Sequence, residues 1–379
     1  MGNKYSPIIP VSSDLHGHLY TPHSRMDGNG YNTRLMVCAN ALEQIGKYIS
    51  EIRDDSKDEW CKVSHTAIMH LFCGDFIHSR IALNTVVGNV LRSSLAELTR
   101  NNIWTFADIG NHDMYLRKEG EVSLSLFEPD LSVRRGGHSF QLTTGEVLYV
   151  SFIPYTADQN ELRSRIKAAE EKKGDKNILV VHTGLREAST GVYGYRLKDE
   201  IPVDILKELE YDWCFVGHYH IPQDFGNGVI IPGSIVQHTF GERGDPHGFY
   251  VINVVDDSYR FVPSDSPQFI QEELKIIPEN PKEEWVGNYV KLVFEDVDLY
   301  NQAQQYVEGY KESGVLSVVR ELRTKGRVFE KGPVDTQVEY GMSMSEMVTS
   351  FVKRHAKEED REAVLEQGLR LIRTVESET

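Results

Sequence analysis

The chain has 379 residues, 40% hydrophobic and 26% charged, with 57 acidic against 41 basic side chains for a formal net charge of −16. Such a chain suits one large globular domain with one or two appendages and a substantial core. Its sign argues against a broadly basic surface that coats nucleic acid, and no apolar run approaches the ~18 residues of a membrane span.

Ile8, Ile9 and Val11 begin the chain order as an apolar strand running into Ser12-Ser13-Asp14-Leu15-His16. Leu35, Cys38, Ala39, Leu42, Ile45, Ile49 and Ile52 then repeat at helical spacing. A second strand, Ile68 to Phe72, runs into Cys73-Gly74-Asp75-Phe76-Ile77-His78, and a second helix is expected over Ile81 to Leu98. Trp104 and Phe106 lead to Gly110-Asn111-His112-Asp113. Phe140 to Leu142 and Val147 to Ile153, joined by Thr-Thr-Gly-Glu, read as a hairpin. Ile178 to Val181 lead to His182, and Cys214 to Val216 lead to Gly217-His218-Tyr219-His220. Further strands are expected around Val229 to Ile231 and Phe249 to Val255.

The polar islands all stand where apolar strands exit, the place where open α/β sheets hold ligands. Asp14, His16, Asp75, Asn111, His182, His218 and His220 offer the oxygen and imidazole donors that two divalent cations need. Asp75 is the natural bridge. Asp14 and His16, two apart at a strand end, project from one side and reach one ion; His218 and His220 repeat that spacing and serve one ion each. Asn111 adds a neutral oxygen, and His182 completes the sphere of the second ion.

Beyond this core, Pro-Ser-Asp-Ser-Pro at 263 and Pro-Glu-Asn-Pro near 278 mark boundaries. A strand over Tyr289 to Phe294, a helix over Asn301 to Glu312 and a strand over Val315 to Leu322 follow. Residues 331–345 read as a linker. Two amphipathic stretches close the chain, one with Met347, Val348, Phe351 and Val352 on a face, the other with Val364, Leu365, Leu369, Ile372 and Val375. The expected division is 1–270 for a catalytic domain, 271–330 for a cap, and 331–379 for a linker and helical tail. Such short helices must pack on the body or dock to another protein.

These residues resemble the calcineurin-like metallophosphoesterases, over residues 6–330. More narrowly, they are similar to the nuclease subunit of the SbcCD type and its double-strand-break repair relatives. Gly-Asp-Phe-Ile-His78 carries histidine where the superfamily's phosphatases usually carry aspartate. Gly-His-Tyr-His-Ile-Pro-Gln followed by Ile-Pro-Gly-Ser-Ile-Val-Gln-His-Thr-Phe-Gly-Glu also looks like the nucleases, as does the strand-helix-strand cap. Asp-Leu-His-Gly17-His18 departs toward the protein phosphatases. The resemblance implies a four-layer αββα sandwich with a small α/β cap and C-terminal helices. It further implies two divalent ions, with manganese carried over from the family, and DNA cleavage from 3' to 5' on duplex ends with endonuclease action on single strands. A coiled-coil ABC-type ATPase partner and dimerisation through helices of the catalytic domain are implied too.

In the mechanism so implied, two cations acidify a water and neutralise charge on the phosphoryl oxygens. His112 donates a proton to the departing sugar oxygen, and Asp113 accepts from its other ring nitrogen. His78 either positions the phosphodiester or orients Asp75. His18 faces the cleft or packs on the first motif, His65 and His70 read as structural or solvent-exposed, and His238 and His247 as turn residues facing water or loop residues touching substrate. Arg134 and Arg135, before Gly136 and Gly137, form a basic spot suited to phosphates or to a solvated turn.

Cys38, Cys61, Cys73 and Cys214 lack Cys-x-x-Cys spacing and read as reduced core residues of a cytoplasmic protein with no signal peptide. Met-Gly-Asn-Lys-Tyr-Ser fits the loose myristoylation pattern, a match frequent by chance. The alternatives to a nuclease are a stand-alone phosphatase or cyclic-nucleotide phosphodiesterase with the same metal core, and a non-catalytic scaffold, against which the complete ligand set argues.

Overall fold

The computed structural model describes residues 4–54, 66–79, 81–115, 122–169, 174–189 and 200–323, with residues 349, 352, 361 and 364–369 beyond them. One compact unit runs from Met1 to Arg323 and a second from Thr324 to Thr379. The expected linker at 331–345 and most of both tail stretches lie outside the described residues, as do His65 and Cys61; residues 364–369 are helical.

A six-stranded sheet takes the order β13 (Ser258–Pro263), β12 (Gly248–Asn253), β2 (Ile8–Ser12), β3 (Ile68–Phe72), β4 (Ile103–Ala107) and β5 (Leu131–Val133). A seven-stranded sheet takes the order β1 (Lys4–Tyr5), β6 (Gly136–Leu142), β7 (Val147–Ile153), β8 (Lys176–His182), β9 (Trp213–Gly217), β11 (Val229–Ile231) and β10 (Gln223–Asp224). The central strands β2 to β5, and likewise β7 to β9, are parallel within their sheets.

Alternation along the strands builds the layers. Ile9, Val11, Met69, Leu71 and Phe106 meet Val150, Phe152, Ile178, Val180 and Phe215 in one buried cluster between the sheets. Their neighbours Ile8, Ile68, Phe72 and Ile103 turn outward into a cluster with α1 (Thr33–Asp54) and α2 (Thr85–Arg100). On the other side Leu179, Val181 and Val216 pack with α3 (Gln159–Ala168) and α4 (Val203–Lys207). Strands buried on both faces read as continuous apolar runs, which is why their exits were visible in the sequence. The result is a helix-sheet-sheet-helix sandwich. Cys38, Cys73 and Cys214 are free and buried in it.

The helix expected from Ile81 starts later. Asn84 caps it, its side-chain oxygen accepting from the Val86 amide, and Ile81 is 70% exposed. A third, parallel sheet, β14 (Phe269–Glu273), β15 (Tyr289–Phe294) and β16 (Ser317–Leu322), lies in the stretch expected as a cap. Its helical connection is broken: α5 (Val297–Gln302) and α6 (Val307–Glu312) flank a 3-10 turn over Ala303–Tyr306. Among the described residues no helix is long and apolar enough to cross a membrane.

Candidate metal centre and its cleft

Strands β2, β3, β4, β8 and β9 deliver the five polar islands to one crevice. The backbone there is unusual. Asp14, His16, Asp75 and His218 have φ of 50°, 46°, 58° and 109°, left-handed values that side chains rarely adopt and that cost roughly 1–3 kcal/mol each. Asp14 and His16 therefore reach a common point through two left-handed residues beyond β2, not through strand alternation as expected from their spacing. The loops hold one another in place: the amides of Asp14, His16 and Gly17 donate to the carbonyls of Gly74, Asp75 and Phe76. Close approach explains one glycine in particular, since a Cβ on Gly110 would lie 2.1 Å from Asp75 Oδ1.

The side chains fall into two groups, Asp14, His16 and His220, and Asp75, His182 and His218, each with its donor atoms within 4.8 Å of one another. Asp75 Oδ2 joins them, 3.4 Å from His182 Nε2 and 3.7 Å from His16 Nε2. Asn111 Oδ1 lies 3.2 Å from His182 Nε2 and 3.1 Å from His218 Nδ1. All seven sequence-derived candidates thus converge.

Tautomers follow from the outer partners. His182 Nδ1 donates to the Cys73 carbonyl at 2.8 Å and His220 Nδ1 to Glu242 Oε1 at 3.0 Å, because a carbonyl and a carboxylate only accept. Both rings consequently aim Nε2 into the crevice. His220 Nε2 stands 3.2 Å from His16 Nε2, while buried Asp14 Oδ1 and His16 Nδ1 have no hydrogen-bond partner. Converging imidazole nitrogens beside an orphaned carboxylate oxygen fit divalent cations.

The surrounding carboxylates set the charge on these rings, and a cation entering beside His182 or His220 would displace a proton from Nε2. Burial pushes His16 well below the ordinary imidazole range and His218 down to about 4. Burial also opposes charge on His182 and His220, yet Asp75 holds the first up at about 10 and Glu242 the second at about 9. Against its own burial, Glu242 is drawn down to about 2 by its hydrogen bond to His220.

His112 does not pair with Asp113. Its amide donates to Asp75 Oδ1 at 2.7 Å, and its ring Nδ1 donates to the His78 carbonyl at 2.7 Å. Asp113 is fully buried and accepts instead from the amides of Asp75, Phe76, Ile77 and Gly110 at 2.8–3.2 Å. The correction has a physical reason: this loop carries several inward-pointing amides that need an acceptor more than the imidazole does. The exposed His78 ring stacks between His112 and His18, with centroids at 5.0 Å and 4.2 Å. His18 donates Nδ1 to the His16 carbonyl and also lines the cleft, so it fills both roles considered for it.

Other assignments sharpen, and His70 takes the structural of the two roles considered for it. His70 lies inside β3, buried, between Ser12 Oγ at 2.8 Å and Thr105 Oγ1 at 3.1 Å. His238 and His247 are buried rather than in solvated turns; His238 stands 2.9 Å from Tyr20 Oη and donates through Nε2 to the Asp14 carbonyl. Arg134 packs over Phe106, and Arg135 lines a pocket with Arg165 away from the metal groups.

A cleft of about 520 Å³ runs from the metal groups past His78 and His112 to Tyr20, Arg34 and Phe240. Of its lining, Tyr20, Arg34 and Glu242 carried no assignment from sequence. The motif Thr-Phe-Gly-Glu242 was the one signal available, and nothing in it names a partner 22 residues away.

Residues 9–222 match the family described as calcineurin-like phosphoesterase. The chain belongs to that family. As a metallophosphoesterase it is a hydrolase of phosphate esters, and its clustered histidines and aspartates are the metal-binding groups such activity requires. Among solved structures it is similar to a dimetal phosphatase from Danio rerio, 9% identical, with a TM-score of 0.35 over 67% of this chain and 93% of that one. It is also similar to a 5'-nucleotidase from Candida albicans, 13% identical, with a TM-score of 0.31 over 61% of this chain and 45% of that one. No curated protein matches the metallophosphoesterase chain significantly.

Proposed function

We propose that this metallophosphoesterase is a two-metal-dependent DNA nuclease, acting as a 3'-to-5' exonuclease on duplex ends and an endonuclease on single strands. The observation that carries the reading is His78, exposed at the cleft mouth and stacked against His112, in the motif position where nucleases of the family carry histidine.

Asp14, His16 and His220 would hold one cation and Asn111, His182 and His218 the other, with Asp75 shared. Bound there, two divalent ions, manganese in our proposal, would supply an acidified water and neutralise charge on the phosphoryl oxygens. His112 is the general acid. With Nδ1–H held by the His78 carbonyl, the neutral ring leaves Nε2 bare; as the imidazolium, His112 passes its Nε2 proton to the departing sugar oxygen and returns to the Nδ1–H tautomer. His78, through its backbone, fixes that tautomer, and its exposed ring faces the incoming strand. Asp113 acts at one remove, holding the loops that present Asp75 and His112.

The net charge of −16 supports a division of labour in which a coiled-coil ATPase subunit, docked on the tail, supplies most of the DNA affinity. The test is purified protein with manganese, given linear duplex DNA, single-stranded circles and bis(p-nitrophenyl) phosphate. Cleavage of both DNAs is expected. Hydrolysis of the dye ester alone would remove the nuclease reading and leave a stand-alone phosphodiesterase.

A further inference from the structure

Arg34 stands at the far end of the cleft, in the first turn of α1, and is only 6% exposed. Its guanidinium lies 3.9 Å above the Tyr20 ring, 5.2 Å from the Phe269 ring and 5.7 Å from the Tyr289 ring. The hydrogen bonds it makes go to neutral groups: Nη2 to the His238 carbonyl at 2.7 Å and Nη1 to the Pro22 carbonyl at 3.3 Å. Among the described residues it forms no ion pair with a carboxylate. Of the two acids that line the cleft, Asp75 sits among the metal groups and Glu242 is engaged by His220 and by the His238 amide. A buried cation normally has an anionic partner.

Its platform is tied to the metal groups. Tyr20, on which Arg34 rests, donates its hydroxyl to the His16 carbonyl at 2.8 Å, and the ring of His238 lies 5.3 Å from that of His16. Lys291, 4.8 Å over Phe240, is by contrast already paired with Glu321 at 3.1 Å.

We infer that Arg34 is an anion subsite, taking the phosphate that neighbours the scissile one in a polynucleotide; the assignment rests on the nuclease reading above. A guanidinium presents five donors in a planar fork matched to phosphate oxygens, and two are used here on carbonyls. The aromatic walls hold the fork in place before substrate arrives, so binding a remote phosphate there would favour the reaction at the metal groups.

The experiment compares kcat/KM for trithymidylate, which has a second phosphodiester, with that for dithymidylate and for bis(p-nitrophenyl) phosphate, in wild type, Arg34→Met and Arg34→Lys. Wild type is expected to favour the trinucleotide over the dinucleotide by about tenfold, the scale of one charge-assisted contact. Arg34→Met should bring that ratio close to one, with Arg34→Lys between. A ratio unchanged in Arg34→Met, or no preference in wild type, overturns the inference. So does an equal loss on all three substrates with the ratio intact, which would make Arg34 a clamp for the cleft wall. If Arg34→Met does not fold, Arg34→Lys decides by the same ratio. Wild-type hydrolysis of the dye ester but of neither oligonucleotide marks failure of the nuclease reading itself, a result distinct from loss of the ratio.

Discussion

The ring of His112 is held by a hydrogen bond, a stack and an edge contact with His16, and this makes it the residue whose replacement is most informative. Its Nδ1 is committed to the His78 carbonyl and its face to the His78 ring. His112→Asn should lower kcat by about 10²- to 10³-fold while two metals stay bound, because proton transfer is lost and no ligand is. Steady-state kinetics with metal analysis of the same sample checks it, and an unchanged kcat would remove the general acid. Asp113 has a different role. Asp113→Ala leaves four buried amides without their acceptor and should cost at least ~3 kcal/mol in urea unfolding, since each unpaired donor costs ~1–3 kcal/mol. At this scale the metal-facing side chains were legible, because strand-exit Asp, Asn and His are rare enough to stand out. Glu242, Tyr20 and Arg34 were not: their meaning lies in contacts with residues far along the chain, and each type is ordinary in a loop or a helix. Asp113 was visible but given the wrong partner, because the direction of the loop amides is set by left-handed residues that periodicity does not reveal.

Among the elements, the adjacent strands β2, β3 and β4 carry a polar row on the face that packs under the helices. Ser12, His70 and Thr105 hydrogen-bond across three strands there. Burial depresses His70 to about 3 from an ordinary 6.5. The sign follows directly. Below 6.5 the unfolded chain takes up a proton that the folded ring refuses, so the stability from neutral His70 is full above 6.5 and lost as pH falls toward 3. In metal-free buffer, the stability advantage of wild type over His70→Asn should therefore shrink by up to ~1.4 kcal/mol per pH unit on acidification. Urea unfolding at about pH 7, 6 and 5 measures it, and a constant difference would contradict the assignment. The strands were read well because they are buried on both faces; the row inside them was not, since a histidine in an apolar run looks the same whether it faces helix or solvent. The α2 start was misplaced because Leu83 stands at helical spacing from Val87 and Leu91, although the cap, Asn84, lies between them.

For the molecule as a whole, the two sheets bring motifs from opposite halves of the chain to one crevice: β2 to β4 carry Asp14, His16, Asp75 and Asn111, and β8 and β9 carry His182, His218 and His220. Without cations this leaves strained loops, an orphaned carboxylate oxygen and crowded imidazoles. Chelation should accordingly lower Tm. Restoring manganese at a thousandfold excess over Kd should recover about 4 kcal/mol of stability, provided the unfolded chain binds none. Thermal unfolding with and without chelator checks this, and an unchanged Tm would mean that metal does not bind the folded centre. Charge and composition at this scale argued against a DNA-coating surface but said nothing about β14, whose short polar sequence Phe-Ile-Gln-Glu-Glu gives little pattern.

The central claim is a pair of cations sharing Asp75. Electron paramagnetic resonance of the manganese-loaded protein, with metal counted in the same sample, tests it most directly. Two ions per chain with the spectrum of an exchange-coupled pair is the expected result, reverting to that of isolated ions in Asp75→Ala. One ion per chain, or two with no coupling in the wild type, would contradict it.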